Sequence, residues 1–197
     1  RALARKLSTH SRFQATLTIG YVAMLFKAVP LHDIGKVSIP DRILLKPGKL
    51  TVEEFDIMKT HTTLGRDAIV RAQDVAGGQV PLLEMAQEVA YSHHEKWDGS
   101  GYPQGLDGDR IPVSARLMAL ADVYDALISR RVYKAPLTHD ESVSIIGRLR
   151  DKHFDADVVD AFLEIQPNFD AIAMTYSDSN EDLEKKANYM RLAQVMV

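Results

Sequence analysis

Apolar residues recur along most of this chain at three- and four-residue spacing, the period of a helix with one buried face, and no convincing period-two alternation marks a strand. The first such run, Arg1 to Leu7, stops at the polar stretch Ser8-Thr9-His10-Ser11-Arg12. A second helix is predicted from Leu17 to Val29, with Tyr21, Met24, Leu25 and Ala28 on one face and Pro30 ending it. Leu31-His32-Asp33-Ile34-Gly35-Lys36 then begins a new segment, and the stretch through Pro40, Pro47 and Gly48 reads as loop and turn. Thr51 and Glu54 have the spacing of a capping box, and the helix they open sets Phe55, Met58 and His61 on one inward face. Ala76-Gly77-Gly78-Gln79 is a connection. Pro81 starts a helix whose inward positions Leu82, Met85, Ala86, Val89 and Ala90 lead, one turn on, to His93 and His94.

Pro112 opens a helix from Val113 to Ser129 whose centre is so apolar that Asp122 and Asp125 stand out as buried carboxylates in need of a cation. Thr138 and Glu141 cap another helix with Val143, Ile146 and Leu149 inward, and a further one runs from Ala156 through Phe162 and Leu163, with Pro167 beyond its end. Ser177 to Asp182 is polar and reads as a linker, after which Leu183, Ala187, Met190, Ala193 and Val197 give an amphipathic helix. The elements predict an all-α protein: one helical-bundle domain over residues 1–167, then a linker and C-terminal helix over residues 168–197 that packs back on the domain or serves as a partner interface. The chain opens at Arg1 already inside a helical pattern, so further residues of the domain are expected upstream.

Composition narrows the chemistry. With 46% apolar and 26% charged residues, the 197-residue chain is that of a globular protein with a core. A net charge of -3 argues against a grip on polymeric nucleic acid, while leaving room for a local basic pocket for a small phosphate ligand. The absence of cysteine excludes disulfides, thiolate zinc sites and iron–sulfur ligation, and fits a reducing, cytoplasmic compartment. No apolar run approaches the ~20 residues needed to span a bilayer, and no signal peptide opens the chain. Any metal must be held by His, Asp and Glu.

An imidazole beside a carboxylate in an apolar run, as at His32-Asp33, is costly unless compensated by a hydrogen bond, an ion pair or a metal, and pairing of the two with each other is the simplest compensation. His61 alone reads as a core histidine or a ligand. Two adjacent histidines, His93 and His94, at the end of a buried stripe are harder to explain by packing. The glycine-rich stretch from Gly99 to Gly108 follows them, either as a surface loop or as exposed backbone that lets a ligand come close. Together, His32, Asp33, His61, His93, His94 and Asp122 form an imidazole and carboxylate set that suits iron, manganese or zinc better than calcium or magnesium. Six side chains exceed what one catalytic ion takes, which points to two metals with Asp33 a natural bridge. Paired ions ~3.5–4 Å apart lower the pKa of a shared water and stabilise both oxygens of an in-line displacement, the chemistry of phosphoester hydrolysis. The basic run Arg130-Arg131-Val132-Tyr133-Lys134 is either a solvated face or a phosphate-binding group. His10, His139 and His153 sit in polar or capping contexts and are not counted as ligands.

At His32-Asp33, Lys36, His61, His93-His94, Asp98-Gly99-Ser100-Gly101-Tyr102-Pro103 and Ala121-Asp122-Val123 the chain resembles HD-GYP domains, a branch of the HD phosphohydrolases, over roughly Pro30 to Phe162. The resemblance implies an all-helical HD-type fold, a di- or trinuclear iron or manganese centre, and hydrolysis of the bacterial second messenger cyclic di-GMP to pGpG or GMP. It also implies an input domain, often a receiver, fused upstream. It makes the six listed side chains the metal ligands, Asp33 and Lys36 catalytic groups, and Gly101, Tyr102 and Pro103 part of the substrate site. Lys36, Arg131 and Lys134 would hold substrate phosphates. Two departures are visible: His10 is too close to His32 to be the family's further upstream histidine, and Val132 replaces a usual proline. The expectation is therefore two divalent ions at most, iron or manganese with zinc fitting the same donors, one of them weakly held. A homodimer is a further expectation. The competing readings are a signalling module that binds nucleotide or a partner protein without turnover, and an HD hydrolase of another nucleotide such as a guanosine alarmone.

Overall fold

Among the described residues, the apolar stripes of most long helices are buried against one another in one core, which includes Leu25, Val89, Leu120, Val158 and Phe162. The computed structural model describes residues 1–129 and 136–176. Among these residues the regular structure is helical, and extended pairing is limited to the isolated bridges Asp98–Asp107 and Arg150–Phe154. In chain order come α1 (Ala2–Leu7), α2 (Ile19–Ala28), the 3-10 turns Val29–Leu31 and Ile34–Ser38, α3 (Asp41–Leu44), α4 (Val52–Lys59) and α5 (His61–Val75). There follow α6 (Pro81–Ser92), α7 (Val113–Ile128), α8 (His139–Arg148) and α9 (Ala156–Thr175). α6 packs on α2, α5 and α7, and α7 in turn on α8 and α9, so these two helices are the centre of the bundle. Ser114 to Leu120 of α7 are all buried, as expected of a helix apolar on every side.

Local signals start the helices. Thr51 with Glu54, and Thr138 with Glu141, make the reciprocal bonds of capping boxes, Thr18 caps α2 through the Tyr21 amide, and Pro81 occupies the first turn of α6. Three expectations are corrected. α9 does not stop before Pro167 but carries it within the helix to Thr175. Ile165, Phe169 and Ala173 continue the stripe of Phe162 onto the core, and that packing offsets the one backbone bond proline removes. α4 and α5 are separate helices broken at Thr60, so α4 buries no residue and Phe55 shares no inward face with His61. Asp125 is exposed, at the edge of the apolar cavity that Tyr124 and Phe169 also line.

A polar clamp ties distant segments together. The buried Arg116 guanidinium donates to the Ile111 and Asp109 carbonyls at 2.7 and 2.9 Å and to Asp155 at 3.1 Å. Arg12 reaches Asp155, Asp157 and Asp109 at 2.9, 2.5 and 2.5 Å, and both guanidiniums lie over the Trp97 ring. The clamp joins the stretch after α1, the end of the glycine-rich loop and the start of α9. Among the described residues a cavity of about 1000 Å3, mostly apolar, lies between α1, α2, α7 and α9, lined by Leu3, Val22, Tyr124 and Phe169 among others. No helix among the described residues is long and apolar enough to cross a membrane. The basic run Arg130 to Lys134, with Arg131 and Lys134, and the amphipathic stretch Leu183 to Val197 lie outside the described residues.

Candidate metal centre

Pro30 prevents α2 from continuing, the chain tightens into the 3-10 turn Val29–Leu31, and His32 and Asp33 follow directly. The break at Thr60 puts His61 at the start of α5, while α6 ends at Ser92 and leaves His93 as its cap with His94 next. Asp122 projects from within α7. All six predicted ligand side chains meet. Asp33 is the hub: Oδ2 lies 3.2 Å from His32 Nε2 and 2.5 Å from Lys36 Nζ, and Oδ1 lies 3.5 Å from His61 Nε2 and 3.8 Å from His93 Nε2. The Asp122 carboxylate is 3.9 Å from His32 Nε2. Donor atoms of His61, His93 and His94 fall within 4.8 Å of one another, as do those of His32, Asp33 and His93. The approach depends on Gly35, where an added Cβ would sit 1.9 Å from the His61 carbonyl oxygen, so only glycine lets this turn lie directly on α5.

The imidazoles are aimed by their own helical turns. His32 Nδ1 is 2.9 Å from the Val29 carbonyl, His61 Nδ1 is 2.7 Å from Met58, and His93 Nδ1 is 3.0 and 3.1 Å from Val89 and Ala90. A carbonyl only accepts, so each Nδ1 carries the proton; His61 and His93 thereby turn an Nε2 lone pair inward, whereas His32 Nε2 lies 3.2 Å from the Asp33 carboxylate and donates to it. His61 Nε2, His93 Nε2 and Asp33 Oδ1 are buried with no hydrogen-bond partner among the described residues. Buried acceptors facing one another are unfavourable unless a cation lies between them, so the donor set fits a divalent metal.

Electrostatics prepares the same protonation states. Burial, reinforced by the neighbouring imidazoles, holds His93 down to about 4 and His94 to about 2, and burial lowers His61 as well. Burial also pushes on His32, but its hydrogen bond and charge contact with Asp33 prevail and raise it. At Asp33 burial is again the largest single influence and would raise the carboxyl. Hydrogen bonds and charge from His32 and Lys36 outweigh it and keep Asp33 well below the usual carboxylate range. Burial raises Asp122, with His32 opposing. Near neutral pH, His61, His93 and His94 are neutral and Asp33 is ionised, the forms that bind a cation.

The glycine-rich loop covers one side of the centre. Tyr102 stacks on His94 with centroids 4.8 Å apart and planes at 26°, and Pro103 follows through a cis bond. A Cβ on Gly101 would lie 2.3 Å from the Lys96 nitrogen, so glycine lets the loop fold back on the residues after the histidine pair. Glu95, only 2% exposed, accepts the Gln104 and Leu106 amides at 2.7 and 3.0 Å and anchors the loop. Its only sequence signal is an acid next to a run of free amides. Asp98 turns away to bond Ser100. His139 is engaged with Tyr124 and Gln166, and His153 stacks on Phe154, so neither reaches the cluster.

Comparison with known proteins identifies the family of the chain. The sequence profile of the HD domain family matches residues 2–158. The chain is 54% identical over 178 residues to a probable cyclic di-GMP phosphodiesterase of Vibrio cholerae serotype O1, an overlap of 90% of this chain and 40% of that protein. It is 49% identical over 146 residues to a cyclic di-GMP phosphodiesterase of Thermotoga maritima, covering 74% of this chain and 38% of the relative. Against a 3'3'-cGAMP-specific phosphodiesterase 2 of Vibrio cholerae it is 44% identical over 155 residues, covering 79% and 28%. The chain thus spans 40% or less of the length of these curated relatives.

Proposed function

The chain belongs to the HD domain family, and from that premise we propose that it is a metal-dependent phosphodiesterase that hydrolyses cyclic di-GMP to pGpG or GMP in bacterial cytoplasmic signalling. The observation that carries the reading is the convergence of the unpartnered Asp33 Oδ1, His61 Nε2 and His93 Nε2. His61, His93, His94 and Asp33 would hold one ion, and His32, Asp33 and Asp122 a second. Nitrogen and carboxylate donors without thiolate favour iron or manganese, with zinc the next candidate. Such ions, when bound, polarise phosphoryl oxygens and lower the pKa of water.

The chain's own groups supply the rest. Asp33 stays ionised and orients His32. Among the described residues Lys36 pairs with Asp33 alone, and its side chain is 40% exposed, so its ammonium can turn to a phosphate oxygen and offset charge that grows during in-line displacement. Gly101, Tyr102 and Pro103 form the wall beside His94 against which substrate would rest. Arg131 and Lys134 keep their proposed phosphate-binding role, outside the described residues. The greater length of the relatives supports a sensor or receiver domain elsewhere in the full-length protein.

A second reading is specific: three relatives are named for 3'3'-cGAMP, and the ligand set acts at the phosphodiester, where it does not select a base. Incubation of anaerobically prepared, Fe(II)- or Mn(II)-loaded protein with each dinucleotide, followed by chromatography, decides between them. Linear product from cyclic di-GMP is expected. Product from 3'3'-cGAMP alone transfers the assignment, and no product from either refutes both.

A further inference from the structure

α4 is a helix without a core. None of its residues is buried, and its large apolar side chains Val52, Phe55 and Ile57 are 73%, 47% and 38% exposed. The covered part of the Phe55 ring packs on the glycine-rich loop and not on the core, and the rest of it faces solvent. The ring meets Tyr102 edge-on, with centroids 6.2 Å apart and planes at 84°. Tyr102 lies on His94. Phe55 therefore stands one ring outside the wall of the metal centre, at the end of an aromatic series that begins on a ligand.

The helix is also held in register with that centre. At its start Glu54 closes the capping box with Thr51 and receives Lys46 Nζ at 2.5 Å. Near its end the Met58 carbonyl orients His61. Lys59, one turn beyond Phe55, lies over the ring at 5.5 Å and pairs with the exposed Asp56 at 2.6 Å. Exposed pairs of this kind contribute little, so Lys59 can yield the ring face and still offer its charge to an anion nearby. A nucleotide whose phosphate sits at the metal ligands carries its base one sugar away, and an exposed aromatic face beside the site is what a base stacks on.

We propose that Phe55 is the platform on which one purine of the substrate stacks, an inference that rests on the cyclic dinucleotide reading above. Because every base presents a π face, this stack adds affinity without choosing guanine over adenine. The test measures KM, kcat and metal content for Phe55→Leu, Phe55→Ala and Phe55→Trp in the metal-loaded protein. Leucine keeps apolar cover over Tyr102 but has no π face. Phe55→Leu and Phe55→Ala should raise KM for cyclic di-GMP roughly 5- to 150-fold, the range for loss of one base–aromatic stack. Their kcat should stay within about twofold and their metal content should not change, while Phe55→Trp should restore KM. Unchanged KM in Phe55→Leu, or a loss of kcat or metal without a rise in KM, overturns the stacking role and leaves Phe55 as cover for Tyr102. Wild-type protein that cleaves bis(p-nitrophenyl) phosphate but no cyclic dinucleotide overturns the substrate reading itself, and this inference with it.

Discussion

Gly35→Ala tests whether the backbone contact between the Ile34–Ser38 turn and α5 is what assembles the metal centre. An alanine Cβ would lie 1.9 Å from the His61 carbonyl oxygen and 2.5 Å from the Gly65 nitrogen, and both neighbours are backbone that cannot rotate aside. The turn must then back away from α5 by at least about 1 Å to restore ordinary contact. Overpacking of this kind costs about 1–3 kcal/mol, and with no side chain able to yield we expect the upper end. For a chain of this size that corresponds to a Tm lower by roughly 6–12 °C in calorimetry. The same movement draws Asp33 from His61, now 3.5 Å apart. Metal ligand distances tolerate only about 0.2 Å, so bound metal should weaken, and a misplacement near 1 Å predicts a loss of ~10²-fold in turnover. A variant with wild-type Tm and wild-type metal content by elemental analysis refutes the reasoning, because the clash would then be relieved without disturbing either element.

Asp33→Ala should deplete both ions together, whereas His61→Ala should mainly deplete one; elemental analysis of anaerobically purified protein reads the stoichiometry, and two ions retained in Asp33→Ala would sink the bridging role. Glu95→Ala leaves the Gln104 and Leu106 amides without their acceptor and should cost about 2–4 kcal/mol. Its amide hydrogen exchange should accelerate at those two residues with metal content retained, and unchanged exchange would mean that the loop is anchored elsewhere. His153 provides a pH test away from the ligands. Burial, with the Lys96 charge adding to it, holds His153 down to about 4 from the ordinary 6.5. The unfolded chain then takes up a proton that the folded chain refuses, so this contribution is complete above about pH 6.5 and is lost as pH falls toward 4. His153→Phe should therefore lose less stability than wild type across that window in urea titrations, and parallel curves would contradict the assignment.

Much of the fold was legible because helix signals are local. Thr51 and Glu54, three residues apart, produce the capping box that the chain makes, and the stripe from Met85 to Ala90 leads directly to the histidine pair. The misreadings came where packing overrode local pattern. Pro167 is a stop signal on its own, but Phe169 packs edge-on to Tyr124 and Phe162 at 5.1 and 4.9 Å, which carries α9 past it. The apolar run around Asp125 suggests burial, yet the residue is exposed where it borders the apolar cavity. The Arg12–Asp155 contact spans 143 positions, and neither residue carries a local mark of the other.

The six candidate ligand residues stand out in the sequence for a different reason: imidazoles and carboxylates in apolar surroundings are conspicuous whatever the fold. What remained hidden was how they are aimed, and that turns out to be local again. His32, His61 and His93 each bond a carbonyl three or four residues back, at Val29, Met58 and Val89. Each ring is thus oriented by its own turn, and the packing of those turns sets the three Nε2 atoms around one carboxylate. Substitutions that loosen the contact between turn and helix, as at Gly35, should therefore change the distances among the donors while leaving each ring's orientation intact. Substitutions that unwind a single turn should do the opposite. The Nδ1 proton reports on the second case alone: in NMR its bond to the carbonyl should persist in Gly35→Ala even as metal affinity falls.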